Sequence, residues 1–255
     1  VAVLRIRKQT LTEGGAMKKA LGALVLAALA CSLSSAAFAG DAKVVEKTFE
    51  GVESLRVKTI TGGCVIKQGG GDKVSIRVEY TYDDADYEVK FKERGDVLDV
   101  EEDFDGNNVR GESEWVISVP ADIDIRFESA TGGLKTSGLK GRIRASSGTG
   151  SMTFSGFSGD LEANSGTGNI DVSDSEGEFD LSSGTGNVRI GDAGGSFEAS
   201  SGTGNVEIKK AKGDFNANSG TGRVEASGLT LSDFGEFSSG TGSAKIDLPA
   251  GDKYE

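Results

Sequence analysis

The feature that most constrains the fold of this chain is a tetrapeptide, Ser-Gly-Thr-Gly, that recurs six times at nearly constant spacing. The copies begin at residues 147, 165, 183, 201, 219 and 239, so the spacings are 18, 18, 18, 18 and 20 residues. A degenerate copy, Ser-Ala-Thr-Gly, begins at residue 129. A fixed period of this length is typical of solenoids, in which each repeat packs only against its neighbours.

The residues around each motif form columns that agree in character from repeat to repeat. Positions four and two residues before the motif's first Ser, and five and seven residues after it, are apolar, whereas the positions between them are mostly polar. Alternation with a period of two indicates a β-strand with one buried face. The pattern therefore predicts two short strands in each repeat, joined by the Gly-Thr-Gly turn and followed by a second glycine-containing turn. Two of the apolar columns read Ile125, Ile143, Leu161, Phe179, Phe197 and Phe215, and Leu134, Met152, Ile170, Val188, Val206, Val224 and Ala244.

We predict an all-β fold, a parallel β-solenoid (β-helix) with about 18 residues per rung. Stacked rungs would lie about 4.8 Å apart, which places identical columns on top of one another. The left-handed hexapeptide helix also has 18 residues per coil, but these columns do not keep its six-residue period. A right-handed solenoid is the default for the remaining crossovers. The 39 glycines among 255 residues, about twice the usual share, then belong to the turns.

Residues 40–120 carry a different pattern, which predicts a small β-meander. Val74, Ile76 and Val78 alternate with polar residues, and further short alternating segments follow between turn-rich stretches. Before them, residues 55–65 repeat the pattern of residues 125–135. We interpret residues 55–65 as a degenerate first rung, with the meander inserted between it and the repeat region at 121–255.

The N-terminal region has the composition of a secretory signal peptide. Met17-Lys18-Lys19 is a basic start, residues 21–33 are apolar, and Ala37-Phe38-Ala39 is a small-x-small cleavage signal before Gly40. The apolar stretch is shorter than the roughly 20 residues that a membrane-spanning helix needs, so we predict no transmembrane segment. Residues 1–16 are predicted to be an untranslated upstream segment and residues 17–39 the signal peptide. Cleavage between Ala39 and Gly40 predicts a soluble periplasmic or extracellular protein; a lipoprotein acylated at Cys31 is the alternative.

Composition excludes several classes of function. The chain has no histidine, so catalytic systems that use an imidazole base are absent. Of the two cysteines, only Cys64 would remain after cleavage, and we interpret it as a small core residue. The formal net charge is −12, and it becomes −16 once residues 1–39 are removed. A negative chain disfavours nucleic acid as a partner.

Three groups of residues superficially suggest chemistry. The Gly-x-Gly turns lack the Lys and following helix of a phosphate-binding loop. Asp103, Asp105 and Asn107, with Glu114 in the twelfth place, approach a calcium loop, but Asn108 stands where such loops have Gly, and a hairpin turn explains the residues better.

The third group is the acidic column formed by Glu162, Asp180 and Glu198, which follows the repeat instead of interrupting it. We therefore predict no catalytic, cofactor-binding or metal-binding residues, and no cofactor. The column of threonines in the Gly-Thr-Gly turns is predicted to cap the neighbouring rung.

The units Ser-Gly-Thr-Gly-Asn-Val-x-Ile at 183–190 and 201–208 resemble those of a bacterial family named "putative adhesin", a domain of unknown function of the β-strand-repeat type. The resemblance covers residues 47–250. It implies a glycine-rich parallel β-helix and an envelope or extracellular location. It implies no catalytic residues.

Two hypotheses about function follow. The first is a secreted or envelope-associated, non-catalytic β-solenoid that acts as an adhesin or scaffold by contact with a cell-envelope, glycan or protein surface. The alternative is a carbohydrate-active β-helix hydrolase or lyase, for which a carboxylate or basic cluster confined to one rung would be the mark. The terminal rung at 239–248 presents strand edges, so we also expect self-association through the C-terminal rung.

Overall fold

A computed structural model describes residues 2–7, 42–106 and 110–248. The predicted signal peptide and its cleavage site lie outside these ranges. Within them the fold is all-β, and no helix is long and apolar enough to cross a membrane. The twenty strands are β1 (Ala2–Arg7), β2 (Lys43–Glu50), β3 (Ser54–Thr59), β4 (Gly63–Gln68), β5 (Lys73–Tyr80), β6 (Tyr87–Arg94), β7 (Val97–Phe104), β8 (Ser113–Val119), β9 (Asp124–Ser129), β10 (Gly133–Ser137), β11 (Lys140–Ser147), β12 (Met152–Ser155), β13 (Ser158–Ser165), β14 (Ile170–Ser173), β15 (Glu176–Ser183), β16 (Val188–Gly191), β17 (Gly194–Ser201), β18 (Val206–Lys209), β19 (Lys212–Ser227) and β20 (Thr230–Asp247).

The strands form a parallel β-solenoid of about seven turns, which confirms the predicted fold class. Wall A of the solenoid follows the order β6, β7, β3, β9, β11, β13, β15, β17, β19 and β20. Wall B follows the order β2, β5, β8, β4, β10, β12, β14, β16, β18, β19 and β20. The long strands β19 and β20 contribute to both walls. Through most of the stack, each residue pairs with the residue 18 positions further on, as Phe179 does with Phe197.

The predicted apolar columns line the interior between the two walls. Phe179, Phe197 and Phe215 are buried and stack face to face, with ring centroids 4.9 and 5.1 Å apart and nearly parallel planes. Fully burying such a side chain contributes about 1.5–3 kcal/mol, and a stacked aromatic pair adds about 0.5–1.5 kcal/mol. Because each ring contacts the rungs on both sides, the interior stabilises the stack as a whole.

The first Ser of each Ser-Gly-Thr-Gly motif ties one rung to the next. The Ser183 hydroxyl donates to the carbonyl of Gly168 in the preceding rung, at 2.8 Å, and accepts from the backbone N–H of Gly186, at 2.8 Å. Ser147, Ser165 and Ser201 repeat both contacts. A buried hydroxyl needs such partners, so this serine column is a structural requirement of the turn. Sequence reasoning assigned a role only to the threonines.

The second turn requires glycine because the rungs approach closely there. At Gly195 the backbone has a φ of +132°, and a Cβ would stand 1.8 Å from the carbonyl oxygen of Gly177 in the preceding rung. Any side chain would force the two rungs apart.

The N-terminal region contains the predicted meander, and residues 55–65 stack on the first regular rung. Leu55 pairs with Ile125 in parallel strands of wall A, and Cys64 pairs with Leu134 in wall B. The meander adds antiparallel strands beyond this rung, since β2 pairs with β5, β5 with β8, and β6 with β7. Two of its strands also join the stack in parallel, β7 on β3 and β8 on β4, so the insertion supplies a further rung that the sequence did not predict.

The C-terminal end of the stack is irregular. The two extra residues of the last repeat shift the pairing of β19 with β20 between Gly213 and Phe215. On wall A, β1 pairs antiparallel with residues 234–239 of β20 and buries Ile6. Residues 1–16 are predicted to lie upstream of the start of translation, and that assignment stays a prediction. If the leader is removed as predicted, β1 leaves with it and this edge becomes free.

Candidate binding surface

The outward surface of wall A, which we call face A, carries a column of ten outward side chains, nine of which are charged. The column is built by the pairing register of ten strands, because residues at equivalent positions of neighbouring strands lie side by side. In spatial order it consists of Lys92, Asp99, Arg56, Arg126, Arg144, Glu162, Asp180, Glu198, Asn216 and Glu236. Strand β1 adds Arg5 beside Glu236, at 3.1 Å, and would be lost with the predicted leader. The acidic column predicted from the sequence is therefore one half of a longer ladder.

Positive and negative charges are separated along this column. Arg56, Arg126 and Arg144 are exposed and occupy three neighbouring strands in the half nearest the meander. The acidic residues from Glu162 onward occupy the half nearest the C-terminal end. The halves meet where Arg144 contacts Glu162 at 3.2 Å. Like charges directly opposite on neighbouring strands are destabilising, so the neighbours Asp180 and Glu198 cost stability in the isolated chain.

The outward surface of wall B, which we call face B, shows the opposite arrangement. There the Arg189 guanidinium lies between Asp171, at 3.2 Å, and Glu207, at 3.7 Å, in successive rungs. The three residues are 18 positions apart in the sequence, so the repeat itself brings these opposite charges together. The same repeat can thus place opposite charges side by side. The repeat therefore does not by itself cause the separation of charges on face A.

The basic half of face A borders a shallow concavity of about 550 Å³ beside the β6–β7 hairpin. Seven lysine and arginine side chains and four carboxylates line it, in a chain whose net charge is −12. Lys58 contacts Glu101 at 3.0 Å, and this hydrogen bond raises the pKa of the Lys58 ammonium. The local excess of positive charge creates a region that attracts anionic groups.

A buried carboxylate in the meander is the most conspicuous polar group that the sequence did not reveal. Glu102 is 4% exposed, and one of its oxygens accepts from the backbone N–H groups of Ile60 and Thr61, at 2.6 and 3.3 Å. The other accepts from three side chains, at 2.7–3.2 Å, namely the hydroxyls of Tyr87 and Ser113 and the indole N–H of Trp115.

The role of Glu102 follows from this set of donors. Burial, followed by the nearby Glu102 charge, raises the pKa of the Tyr87 phenol. Five donors on one enclosed carboxylate give it a structural role, which is to hold the first Thr-Gly-Gly turn against the meander. No signal in the sequence identified it, because its partners are 11 to 42 residues away and follow no repeat.

The other candidates from the sequence have structural positions. The Thr203 hydroxyl donates to the carbonyl of Gly184 at 3.2 Å, and Thr185 to Gly166 at 3.5 Å, so at these two turns the threonine caps the preceding rung as predicted. Cys64 is 2% exposed, as a core residue should be, and burial raises the pKa of its thiol.

The residues that resemble a calcium-binding loop in sequence do not come together in the fold. Asp103 pairs with Lys90 on the neighbouring strand β6, and Glu114 lies on β8 in the other wall. Asn107 lies outside the described residues. Across residues 2–7, 42–106 and 110–248, no group of three or more acidic, cysteine or histidine side chains could hold a metal ion.

Comparison with known proteins gives similarity at the level of solved structures alone. No family model and no curated protein matches the chain. A putative cell adhesion protein from Clostridium sporogenes is 16% identical, with a TM-score of 0.36, covering 82% of this chain and 100% of its own. A putative adhesin from Bacteroides fragilis is 12% identical, with a TM-score of 0.37, covering 80% of this chain and 97% of its own.

A third solved structure, a putative adhesin from Parabacteroides merdae, is 13% identical, with a TM-score of 0.28, covering 82% of this chain and 98% of its own. All three names agree with the resemblance that the repeat motifs indicate. At these identities and TM-scores the likeness carries no inference about what this chain binds.

Proposed function

We propose that this chain is a secreted or envelope-associated, non-catalytic β-solenoid that acts by surface contact, as an adhesin or scaffold. The observation that carries the proposal is face A, a ladder of outward side chains that crosses ten strands and is charged at nine of them. At about 4.8 Å per strand the ladder is about 45 Å long. Such a surface suits broad electrostatic contact with a macromolecule, whereas a small substrate would use only a fraction of it.

The regularity of the array also favours contact over catalysis. Catalytic sites depend on a few groups held in one special arrangement. On face A the ionisable groups continue from rung to rung. Glu102, the one enclosed carboxylate in the part of the chain that the structure describes, is saturated by its own donors. The carbohydrate-active alternative therefore becomes an outcome of the test below.

The proposed location rests on the predicted signal peptide at residues 17–39. Cleavage between Ala39 and Gly40 would release the chain into the periplasm or the medium. We expect mass spectrometry to show that the N-terminal peptide of the chain from its own cells begins at Gly40. A chain that begins at an acylated Cys31 would contradict this location and make the protein a lipoprotein.

The function itself is tested by binding and turnover measured on the same samples. The purified chain is applied to a panel of glycans and cell-envelope fractions, and the length distribution of each glycan is measured before and after incubation. We expect salt-sensitive retention on at least one envelope fraction, with every glycan unchanged in length. Depolymerisation of any glycan in proportion to protein concentration would contradict the proposal and support the hydrolase or lyase.

A further inference from the structure

We propose that face A binds a second copy of this chain, packed face to face with its rungs in the opposite order. This inference rests on the proposed function, since it names a partner for the same surface. It follows from the order of charges along the ladder. Counted outward from the junction of β11 and β13, a basic residue on one side stands at the same level as an acidic residue on the other, except at the level of Asp99 and Asn216.

The geometry is that of a two-fold axis lying in the plane of the contact, parallel to the strands and between β11 and β13. A rotation about this axis keeps each column of side chains opposite itself and reverses the order of the strands. Five strands of the ladder lie on each side of the axis, so each strand of one copy faces a strand of the other. Such an isologous contact uses the same patch on both copies and closes as a dimer.

The charges match at almost every level of the ladder. Arg144 of one copy faces Glu162 of the other, Arg126 faces Asp180, Arg56 faces Glu198, and Lys92 faces Glu236; Asp99 faces Asn216. Symmetry makes each of these contacts occur twice.

The two flanking outward columns are compatible with this pairing. In one of them Arg142 faces Asp160, and the single like-charge juxtaposition, Asp124 with Glu178, lies one level further out. In the other column, Lys58 and Glu128 face the neutral side chains of Ser200 and Ser182. Only one level in the three columns therefore opposes the contact.

A second copy fits this surface better than a foreign polymer does. An anionic polymer would be attracted to the half with Arg56 and Arg126 and repelled by the half with Asp180 and Glu198, and a cationic polymer would have the reverse difficulty. An antiparallel copy satisfies both halves at once. It also relieves the like-charge neighbours Asp180 and Glu198, because each of them gains a positive charge. On the basic side, Arg126 already contacts Glu128 of its own chain at 2.7 Å and gains a second carboxylate.

The size of face A is sufficient for a specific contact. Ten strands about 4.8 Å apart and three outward columns about 6.6 Å apart cover roughly 800 Å² per copy. That is the area per partner of a standard protein–protein interface, about 800 Å². Because the contact is mainly electrostatic and exposed at its rim, its affinity should fall as the salt concentration rises.

The test is a charge-reversal cycle measured by sedimentation of the chain purified as its own cells process it. Arg126→Glu places a carboxylate against Asp180 of an identical copy, and Asp180→Arg places a guanidinium against Arg126. Each variant alone should weaken the dimer at least about tenfold. In a homodimer of either variant, both of these levels bring like charges together. In a 1:1 mixture the heterodimer has opposite charges at both levels, so it should form with an affinity above that of either variant alone.

The recovery can be followed level by level in the mixed dimer. Where the two substituted positions face each other, the new carboxylate of Arg126→Glu lies against the new guanidinium of Asp180→Arg, and the charges are again opposite. At the symmetry-related level the unchanged Arg126 of one copy faces the unchanged Asp180 of the other. Both levels are therefore attractive, and the affinity of the mixture should lie within about threefold of the original chain.

Two controls make the result specific. Lys135→Glu reverses an exposed charge on face B and should leave the dissociation constant unchanged. Thermal melts of all variants should coincide, which excludes unfolding as the cause of any loss. Association through the edge of β20 would be indifferent to residues 126 and 180, which lie on other strands.

Two outcomes would overturn the inference. One is an original chain that stays monomeric at high concentration and low salt. The other is a pair of weakened variants that do not recover when mixed. If either occurs while Arg126→Glu still abolishes retention on envelope fractions, face A contacts a foreign surface, and the proposed function survives without this inference.

Discussion

At the scale of the residue, two neighbours on β17 differ completely in their surroundings. Phe197 is 2% exposed and lies between two stacked phenylalanine rings, whereas Glu198 points outward on face A. Phe197→Asp would bury an unpaired charge between rungs that offer it no partner, which is far costlier than the loss of one apolar contact. Glu198→Lys should change the free energy of unfolding by less than about 0.5 kcal/mol.

Denaturant melts of the two variants check this prediction. Phe197→Asp should lower the midpoint strongly and broaden the transition, because an array loses cooperativity when one interface fails. Equal midpoints for the two variants would show that the inward and outward columns are assigned wrongly.

Glu102 provides a second test at the same scale. Replacing it by Gln turns one of its two acceptors into a donor, which then faces other donors in an enclosed space. We expect Glu102→Gln to lower the free energy of unfolding by about 2–3 kcal/mol, as for an unsatisfied buried polar group. The matched change Glu101→Gln, at an exposed pair with Lys58, should cost less than about 1 kcal/mol. Similar losses in urea melts would remove the structural role assigned to Glu102.

At the scale of the element, two adjacent glycines at the start of β17 differ in whether the fold requires them. A Cβ on Gly195 would meet the carbonyl oxygen of Gly177 at 1.8 Å, whereas a Cβ on Gly194 would have its nearest neighbour at 3.8 Å. Gly195→Ala should therefore destabilise the stack by more than about 2 kcal/mol. Gly194→Ala should be neutral or stabilising by up to about 1 kcal/mol, because it restricts the unfolded chain. Denaturant midpoints that fall equally would contradict a close approach of the rungs at this turn.

The elements that the sequence predicted are those that repeat. The columns containing Phe197 and Val188, and the likeness of Leu55 to Ile125, could be identified because a fixed period brings equivalent residues together. The parallel pairing of β7 and β8 with the first rung could not be identified, since nothing in the sequence sets the register of an inserted segment.

The binding surface follows the same rule. Its acidic half was visible as a column of the repeat, from Glu162 to Glu198. The placement of Lys92 and Arg56 in the same ladder depends on the register of the inserted strands, so the separation of charges along face A emerged only from the fold.

At the scale of the whole molecule, the C-terminal edge remains a predicted site of self-association. The half of β20 in wall B, with Ile246 only half-buried, has no further strand beyond it within the described ranges. Ile246→Lys should reduce concentration-dependent association through this edge, because a charge in the apolar stack opposes pairing. The outward change Lys245→Glu is the control. Equal sedimentation of both variants and the original chain would show that this edge is inactive.

The central claim is that the molecule acts through face A. The most direct measurement is the retention of three proteins on envelope fractions from the chain's own cells, namely the original chain, Arg126→Glu on face A and Lys135→Glu on face B. Both substitutions change the net charge by the same amount, so only the face distinguishes them. The account predicts at least about a tenfold loss of affinity for Arg126→Glu and an unchanged affinity for Lys135→Glu. Equal affinities for the two variants would contradict it.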